Sequence, residues 1–352
     1  MAGKVKVLMC GSELGVRGGM VSVTKNYLGY KDWEEFDIHY IPTHTEKNKL
    51  IVALYFAVAY FRVFFTAVFG HYDTLYLHTA ERGSFYRKAM LVRTLRKFGI
   101  KTVMHHHAGE FELFYSGLSE KKKRYVNKTL SLADLNIVLS KRLISMITDK
   151  APDAKVKVLY NAVHTYSENP YNKDASNILF LGRLGKRKGT YDLLDVIKRL
   201  DDRLPENIKF YLCGDGEVEE VRKKTEEYGI SHRIAHIGWT VGEQKAEFMK
   251  NTMLNVLPSY NEGLPMTILE TMAYGIPNIS TNIASIPEVI RDGENGYMIT
   301  PGDKDKLEER LYELCTDREK RNKMSEICWN DITKNFALDN HINKLKGYLR
   351  EL

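Results

Sequence analysis

Short apolar runs rich in β-branched residues alternate with amphipathic helical stretches along the whole chain. That alternation is the pattern of βαβ units and a parallel sheet. In the first half, VKVLMC (5–10), FDIHYI (36–41), DTLYLH (73–78), KTVMHHH (101–107), DLNIVLS (134–140) and VKVLY (156–160) predict six strands. The stretch TYSENPYNKDAS (165–176) then loses hydrophobic period and gathers Asn, Ser, Pro and Asp, which predicts a linker. Beyond it NILFLGRL, IKFYLCGD, RIAHIGW, MLNVLPSY and PNISTN restart the same rhythm. From Asp303 onward the pattern is helical, ending in a helix over roughly 338–352. The expected fold is therefore α/β: two tandem doubly wound Rossmann-like domains, at 1–165 and 166–336, with 337–352 packing back on the first. Such domains are expected to face one another across a cleft at the carboxyl ends of their strands, where ligands gather.

One segment breaks the alternation. Residues 50–69, LIVALYFAVAYFRVFFTAVF, are apolar apart from Arg62 and Thr66, close to the length of a membrane span. A span is not expected, because the segment lies between the second and third strands of one sheet. The remaining readings are a buried crossover helix, or a helix whose outer face dips into a membrane interface with Arg62 snorkelling. An all-round apolar helix on the outside of an open sheet favours membrane contact.

Composition adds a charge asymmetry to this picture. The 352 residues carry a net charge of +7, but residues 1–165 hold 25 Lys and Arg against 14 Asp and Glu, and the remainder 27 against 31. A basic first half suits an anionic partner such as a phospholipid surface, a pyrophosphate-linked lipid or nucleic acid, although the run Lys121–Arg124 also reads as the solvated start of a helix. The four cysteines show no C-x-x-C spacing and read as reduced, buried thiols. No secretory signal is recognised in the first residues, and a cytoplasmic location is expected.

Two motifs carry candidate chemistry. PSYNEGLPMTILETMAYGIP (258–277) places Glu262 in a loop after a strand and Glu270 in the helix that follows. Gly263 permits close backbone approach, Pro265 suits a first helical turn, and the free N–H groups there suit a diphosphate. Glu262 can accept hydrogen bonds from sugar hydroxyls and Glu270 from a ribose, although the spacing alone fits a solvated helix face equally well. LGRLGKRKG (181–189) follows the first strand of the second domain, and its Arg183 and Lys188 leave a Gly-flanked turn where both can meet a diphosphate. Fixed cations stabilise a departing nucleoside diphosphate as a metal would, so no metal or cofactor is expected.

Together these residues resemble the family 4 glycosyltransferases of the GT-B fold, most strongly over 177–303. The resemblance implies a retaining, metal-independent transfer from a nucleotide-sugar, commonly a uridine diphosphate sugar. It implies that Arg183 and Lys188 bind the diphosphate, that Glu262 meets the donor sugar and Glu270 the ribose, and that the backbone at Gly263, Leu264, Met266 and Thr267 meets sugar and phosphate. Gly238 and Tyr260 are implied near the base. SELGVRGGM resembles the family's glycine loop, with Gly18 and Gly19 near the phosphates, and is not the G-x-G-x-x-G of a dinucleotide site. HHHAGEF (105–111) resembles a strand-end motif whose His107 lies beside the donor sugar. Three adjacent histidines invite a metal, but successive strand residues point to opposite faces and no distant Cys/His pair is visible to complete a site.

HTAERGSFYRKAM (78–90) looks like segments of family members that build bacterial surface polysaccharides. It places Ser84, Arg87 and Lys88 on the acceptor side, although a plain N-cap and basic helix fit it as well. Asp303 and Asp305 form a D-x-D that reads as helix capping. The expected partners are a nucleotide-sugar, a saccharide acceptor, either free or polyprenyl-diphosphate-linked, and the inner face of a membrane, with no nucleic acid. A nucleotide-sugar 2-epimerase and a non-catalytic nucleotide-sugar-binding subunit are the alternatives these residues leave open.

Overall fold

The computed structural model describes residues 4–107 and 109–352. Two compact units divide the chain: residues up to Asn161 together with Leu338–Leu352, and Ala162–Ala337. Each is built on a six-stranded, wholly parallel sheet.

In the first unit β1 (Val5–Gly11), β2 (Phe36–Pro42), β3 (Thr74–Thr79), β4 (Lys101–His106), β5 (Leu135–Val138) and β6 (Val156–Val158) pair in the order β2-β1-β3-β4-β5-β6. The crossovers include α1 (Gly19–Gly29), α2 (Lys49–Phe69), α3 (Gly83–Leu95), α4 (Phe111–Ser116), α5 (Glu120–Leu132) and α6 (Ser145–Thr148). Parallel strands covered on both faces need continuous apolar runs rather than alternation, and β3 is buried at every position. Its core joins Leu8, Leu75, Leu77 and Met104 of the sheet to Val63, Phe85, Val92 and Leu130 of the helices.

The apolar 50–69 segment is α2, capped by the Asn48 side chain, which accepts from Ile51 N at 3.0 Å. It connects β2 to β3, and both strands bond to β1, so a bilayer crossing would tear the sheet apart. Only Phe56, Ala59, Val63 and Ala67 are buried. Leu50, Leu54, Val58, Phe61, Phe65 and Phe69 form an exposed stripe along its length. A helix outside an open sheet normally turns polar residues outward; this one is apolar on both faces.

The second unit contains β7 (Asn177–Leu181), α7 (Thr190–Leu200), β8 (Lys209–Cys213), α8 (Val218–Glu227), β9 (Ile234–Gly238), α9 (Gly242–Lys250), β10 (Thr252–Leu257), α10 (Met266–Ala273), β11 (Asn278–Thr281), β12 (Gly296–Ile299), α11 (Lys304–Thr316) and α12 (Arg318–Asn335). The strand order is β12-β11-β10-β7-β8-β9. The chain winds one way from β7 to β9, then jumps back to place β10 on the other side of β7. This reversal leaves a crevice at the carboxyl ends of β7 and β10, where doubly wound sheets bind ligands.

Two differences from the sequence expectation have physical reasons, the placing of 165–176 and the strand β12. The stretch 165–176 is tied down on the second unit: Trp329 Nε1 donates to Tyr166 O at 3.1 Å, Asn169 bonds Ser325 Oγ at 3.0 Å, and Tyr171 OH donates to Met253 O at 2.9 Å. The chain therefore changes unit after Asn161, earlier than its change of composition. The strand β12, absent from the sequence reading, is a four-residue edge strand held mainly by its register with β11. The final helix α13 (Leu338–Arg350) belongs to the first unit, where His341 bonds Tyr27 OH at 2.6 Å and Tyr160 O at 2.7 Å, and buried Lys346 pairs with Glu34 at 2.9 Å. Among the described residues all four cysteines are free and buried.

Candidate active site

The crevice of the second unit is built from two loops pressed together. After β7 the chain passes through Gly182 to Gly189, with Gly185 at φ 144° and Gly189 at φ 72°. A Cβ at Gly189 would sit 2.1 Å from Pro258 O, so only glycine lets this turn lie against the loop after β10. Tyr260 N donates to Arg187 O at 2.9 Å and joins the same two loops. The loop after β8 locks from the other side, since a Cβ at Gly214 would fall 1.8 Å from Gly182 O.

Within this frame Lys188 Nζ donates to Glu262 Oε1 at 2.5 Å, and Ser259 Oγ donates to the same oxygen at 2.7 Å. The side chains are 14% and 6% exposed. A buried ion pair returns little net stability, because desolvation of both charges offsets their attraction; removing one partner alone costs about 3–5 kcal/mol. Its use here is geometric: it holds a carboxylate and an ammonium in fixed positions across the crevice. Arg183 differs, being 60% exposed with its guanidinium 3.8 Å from Asp215 Oδ2.

The helix α10 begins beside Glu262, with Pro265 as its N-cap at φ −69°. No side chain caps it and no acid stands in its first turn, so its N–H end keeps its positive potential. Leu264 and Met266 are buried, Gly263 O accepts from Ser285 N at 3.2 Å, and Thr267 lies half-buried in the first turn. Glu270, expected to take ribose hydroxyls, is held by Lys245 Nζ of α9 at 2.7 Å. Gly238 closes β9 at φ 144°, and its carbonyl accepts from Gly214 N at 2.8 Å. Tyr260 donates to Asp192 Oδ2 at 2.7 Å, a bond that pushes its phenol up to about 12. With Lys186, Arg187, Gly189, Tyr191 and Asp192 it lines a pocket of about 480 Å³. The D-x-D is capping: Asp303 Oδ1 accepts from Lys306 N at 2.9 Å and Asp305 pairs with Arg199 at 2.7 Å.

In the first unit Gly18, at φ 135°, is the N-cap of α1, and Gly19 is its first residue; no acid or side-chain cap occupies this helix start. His107 follows β4 and lies among imidazoles. The sheet register sets His78 of β3 beside His105, and His78 Nδ1 is 2.9 Å from His107 Nε2. Ring nitrogens of His78, His105 and His107 lie within 4.8 Å of one another and can supply three ligands to a metal ion. Contrary to the expectation of opposite strand faces, His105 and His107 are two residues apart and share a face, and His78 is the distant histidine. Tyr76 OH bonds His105 Nδ1 at 2.7 Å, while His78 Nε2 and His105 Nε2 have no partner. Burial pushes all of them down, His107 to about 3 and His106 to about 4, so they are neutral.

Ser84 is not the N-cap of α3. That position is Arg82, at φ 57°, and Ser84 Oγ accepts from Ala80 N at 3.2 Å. Arg87 and Lys88 lie one turn on, Lys88 fully buried with Nζ 2.5 Å from Thr43 Oγ1 beyond the end of β2. Lys245 and Thr43 carry no motif of their own and are found only through the fold that brings each to its partner, whereas Ser259 stands three positions before Glu262 in the same loop.

Residues 166–328 match the family model for glycosyl transferases group 1. An uncharacterized 41.2 kDa protein in the cps region of Klebsiella pneumoniae is 28% identical over 299 residues, covering 80% of this chain and 81% of that one. The lipopolysaccharide 1,6-galactosyltransferase of Salmonella typhimurium is 32% identical over 186 residues, 49% of this chain and 50% of its own length, so the chain spans about half of that relative. Among solved structures, the Anabaena HepE protein in complex with UDP and glucose superposes with a TM-score of 0.78 at 17% identity, over 99% of this chain and 100% of that one. The fold is that of the GT-B glycosyltransferases. The stretch that matches the family model lies within the second unit.

The buried imidazoles make stability depend on pH. His44, His106 and His341, each pushed down to about 4, bind protons more readily unfolded than folded. Their contribution is complete above about 6.5, the unfolded value, and is lost as pH falls from there toward about 4. Stability, and the melting temperature with it, should therefore drop below pH 6.5, at up to about 1.4 kcal/mol per pH unit for each of the fully buried His106 and His341 and by less for the half-buried, solvent-screened His44. A flat profile over that window would show the imidazoles to be solvated.

Proposed function

We infer that the protein is a retaining glycosyltransferase that moves a sugar from a nucleotide diphosphate sugar, most simply a UDP-sugar, to a saccharide of a bacterial surface polysaccharide. The observation that carries this reading is the Lys188–Glu262–Ser259 contact at the β7/β10 reversal, beside an uncapped helix start. It is supported by UDP and glucose in the HepE complex and by the cps and lipopolysaccharide relatives.

In this mechanism the diphosphate lies against Arg183, Lys188 and the first N–H groups of α10, while Glu262 takes hydroxyl hydrogens of the donor sugar. The bond from the anomeric carbon to the phosphate oxygen breaks, and the acceptor hydroxyl bonds to that carbon from the same face, giving retention. Its proton passes to the leaving oxygen. Charge building on the diphosphate is met by cations already in place, the arrangement that lowers such barriers most. Gly238, Tyr260 and Glu270 complete the donor site of the second unit in this reading.

The acceptor is taken to be lipid-linked and the protein peripheral at the inner membrane face, its α2 stripe lying in the interfacial layer with Arg62 reaching for head groups. Cosedimentation with anionic vesicles at low salt should be strong for the native chain and weak for Val58→Asp with Phe65→Asp; equal recovery of the two would remove this placement.

Arg183 gives the cleanest test of the mechanism, because Lys188→Ala also leaves Glu262 buried and unpaired. Arg183→Ala should lower kcat by about 10²–10³-fold with an unchanged melting temperature. Turnover within about threefold of the native rate would contradict its role. Because transfer is taken to need no metal, the native rate should persist in excess chelator after dialysis. Loss of activity that manganese restores would instead give the three histidines a metal function.

A further inference from the structure

The hydrogen bonds that run from α13 into the first sheet have a fixed direction, and they end on a bare nitrogen. Tyr160 O can only accept, so His341 Nδ1, 2.7 Å away, carries the hydrogen of its ring. Burial keeps that ring neutral, which leaves Nε2 to accept from Tyr27 OH at 2.6 Å. Tyr27 then accepts from the Tyr76 phenol bonded to it, and Tyr76 in turn accepts from His105 Nδ1 at 2.7 Å. The hydrogen of His105 therefore sits on Nδ1, and its Nε2 is a lone pair that meets no donor. His105 is fully buried, and an acceptor left without a donor there is unfavourable unless something occupies it.

His78 adds a second orphan. Its Nδ1 lies 2.9 Å from His107 Nε2, and its Nε2 is buried without a partner. One nitrogen from each of His78, His105 and His107 falls within 4.8 Å of the other two. Two ligands of one tetrahedral ion stand about 3.3 Å apart when each bond is about 2.0–2.1 Å. The His78–His107 edge already has nearly that spacing. His106 does not compete, since it bonds Asn136 at 3.0 Å. The groups that act most on the three rings are other imidazoles and Lys88, with no carboxylate among them. Imidazole without carboxylate suits zinc and its neighbours, whereas magnesium, calcium and manganese prefer oxygen.

We propose that His78, His105 and His107 bind one divalent ion of the zinc class in the first unit. His105 ligates through Nε2, its Nδ1 hydrogen held by Tyr76 in the way that outer partners orient metal-binding imidazoles. The hydrogen that His78 and His107 share moves to the far nitrogen of its ring, so the ligands stay neutral and no proton leaves. Three protein ligands leave one position for water. Lys88, acting on His78, opposes a cation and limits the affinity. The site goes beyond the transferase reading, which takes transfer to need no metal: the ion braces the carboxyl ends of β3 and β4 and has no part in that step.

Cobalt(II) is the probe that tests it. Titrated into the full, untagged chain after dialysis against chelator, it should give the strong visible bands of a four-coordinate ion, saturating at one equivalent, and zinc should bleach them. His105→Gln and His78→Gln should each weaken zinc binding by at least about tenfold. Tyr76→Phe keeps the ring but removes the acceptor for the His105 hydrogen, and should weaken zinc by about 10–100-fold. His164→Gln, at an exposed histidine outside the cluster, should change nothing. Zinc should raise the melting temperature of the native chain and leave that of His105→Gln where it was. The faint colour of six-coordinate cobalt, or zinc affinity unchanged in both histidine variants, would mean adventitious surface binding only and would overturn the proposal. Should both variants fail to fold, native affinity in Tyr76→Phe would overturn it as well. Failure of the native chain to bind UDP would sink the glycosyltransferase reading separately, and the cobalt titration would still report on this site.

Discussion

The second unit depends on one constraint: an ammonium and a carboxylate must be held together out of water at the point where the sheet reverses its winding. Lys188 and Glu262 come from loops 74 positions apart in sequence. Two things bring them together, the placing of β10 against β7 and the glycine at 189 that lets the loops touch. The pair contributes little to stability by itself. What it fixes is the position of an ammonium and a carboxylate beside the α10 N-terminus, and a site that must meet developing charge needs such positions set beforehand.

The first unit shows the opposite economy. Its sheet buries His78, His105, His106 and Asn136 where aliphatic side chains would pack more simply. They are satisfied pairwise, His106 by Asn136 at 3.0 Å and His105 by Tyr76, and the network reaches α13 through Tyr27 and His341. Buried polar groups that are only partly satisfied cost stability and are retained where chemistry needs them. The unpartnered nitrogens here lie at the carboxyl ends of the strands, the edge at which doubly wound sheets hold ligands.

Much of this was legible in the sequence, and the reasons are physical. All six strands of the first sheet stand where apolar runs placed them, the inner β1, β3, β4 and β5 because both their faces are covered, and the edge strands β2 and β6 on runs with exposed or half-buried positions. The Glu262–Glu270 segment, the glycine turn and the Asp303 cap were also visible, since each depends on neighbours in sequence. The illegible parts depend on strand order. Nothing local marks Lys245 as the partner of Glu270, or His78 as the neighbour of His105. β12 was missed because four residues at a sheet edge carry too little pattern, and the unit boundary because hydrogen bonds, not composition, hold residues 165–176. The outward apolar stripe of α2 was legible as hydropathy, but which face it buried became visible only in three dimensions.

The central claim is that the crevice at the β7/β10 reversal receives the donor's diphosphate. A crystal structure of the protein with UDP tests it most directly. The account predicts the β-phosphate within hydrogen-bond distance of the Arg183 guanidinium, the Lys188 ammonium and the first amides of α10. A diphosphate bound elsewhere, with Arg183 still turned to Asp215 and Lys188 bonded to Glu262 alone, would contradict it.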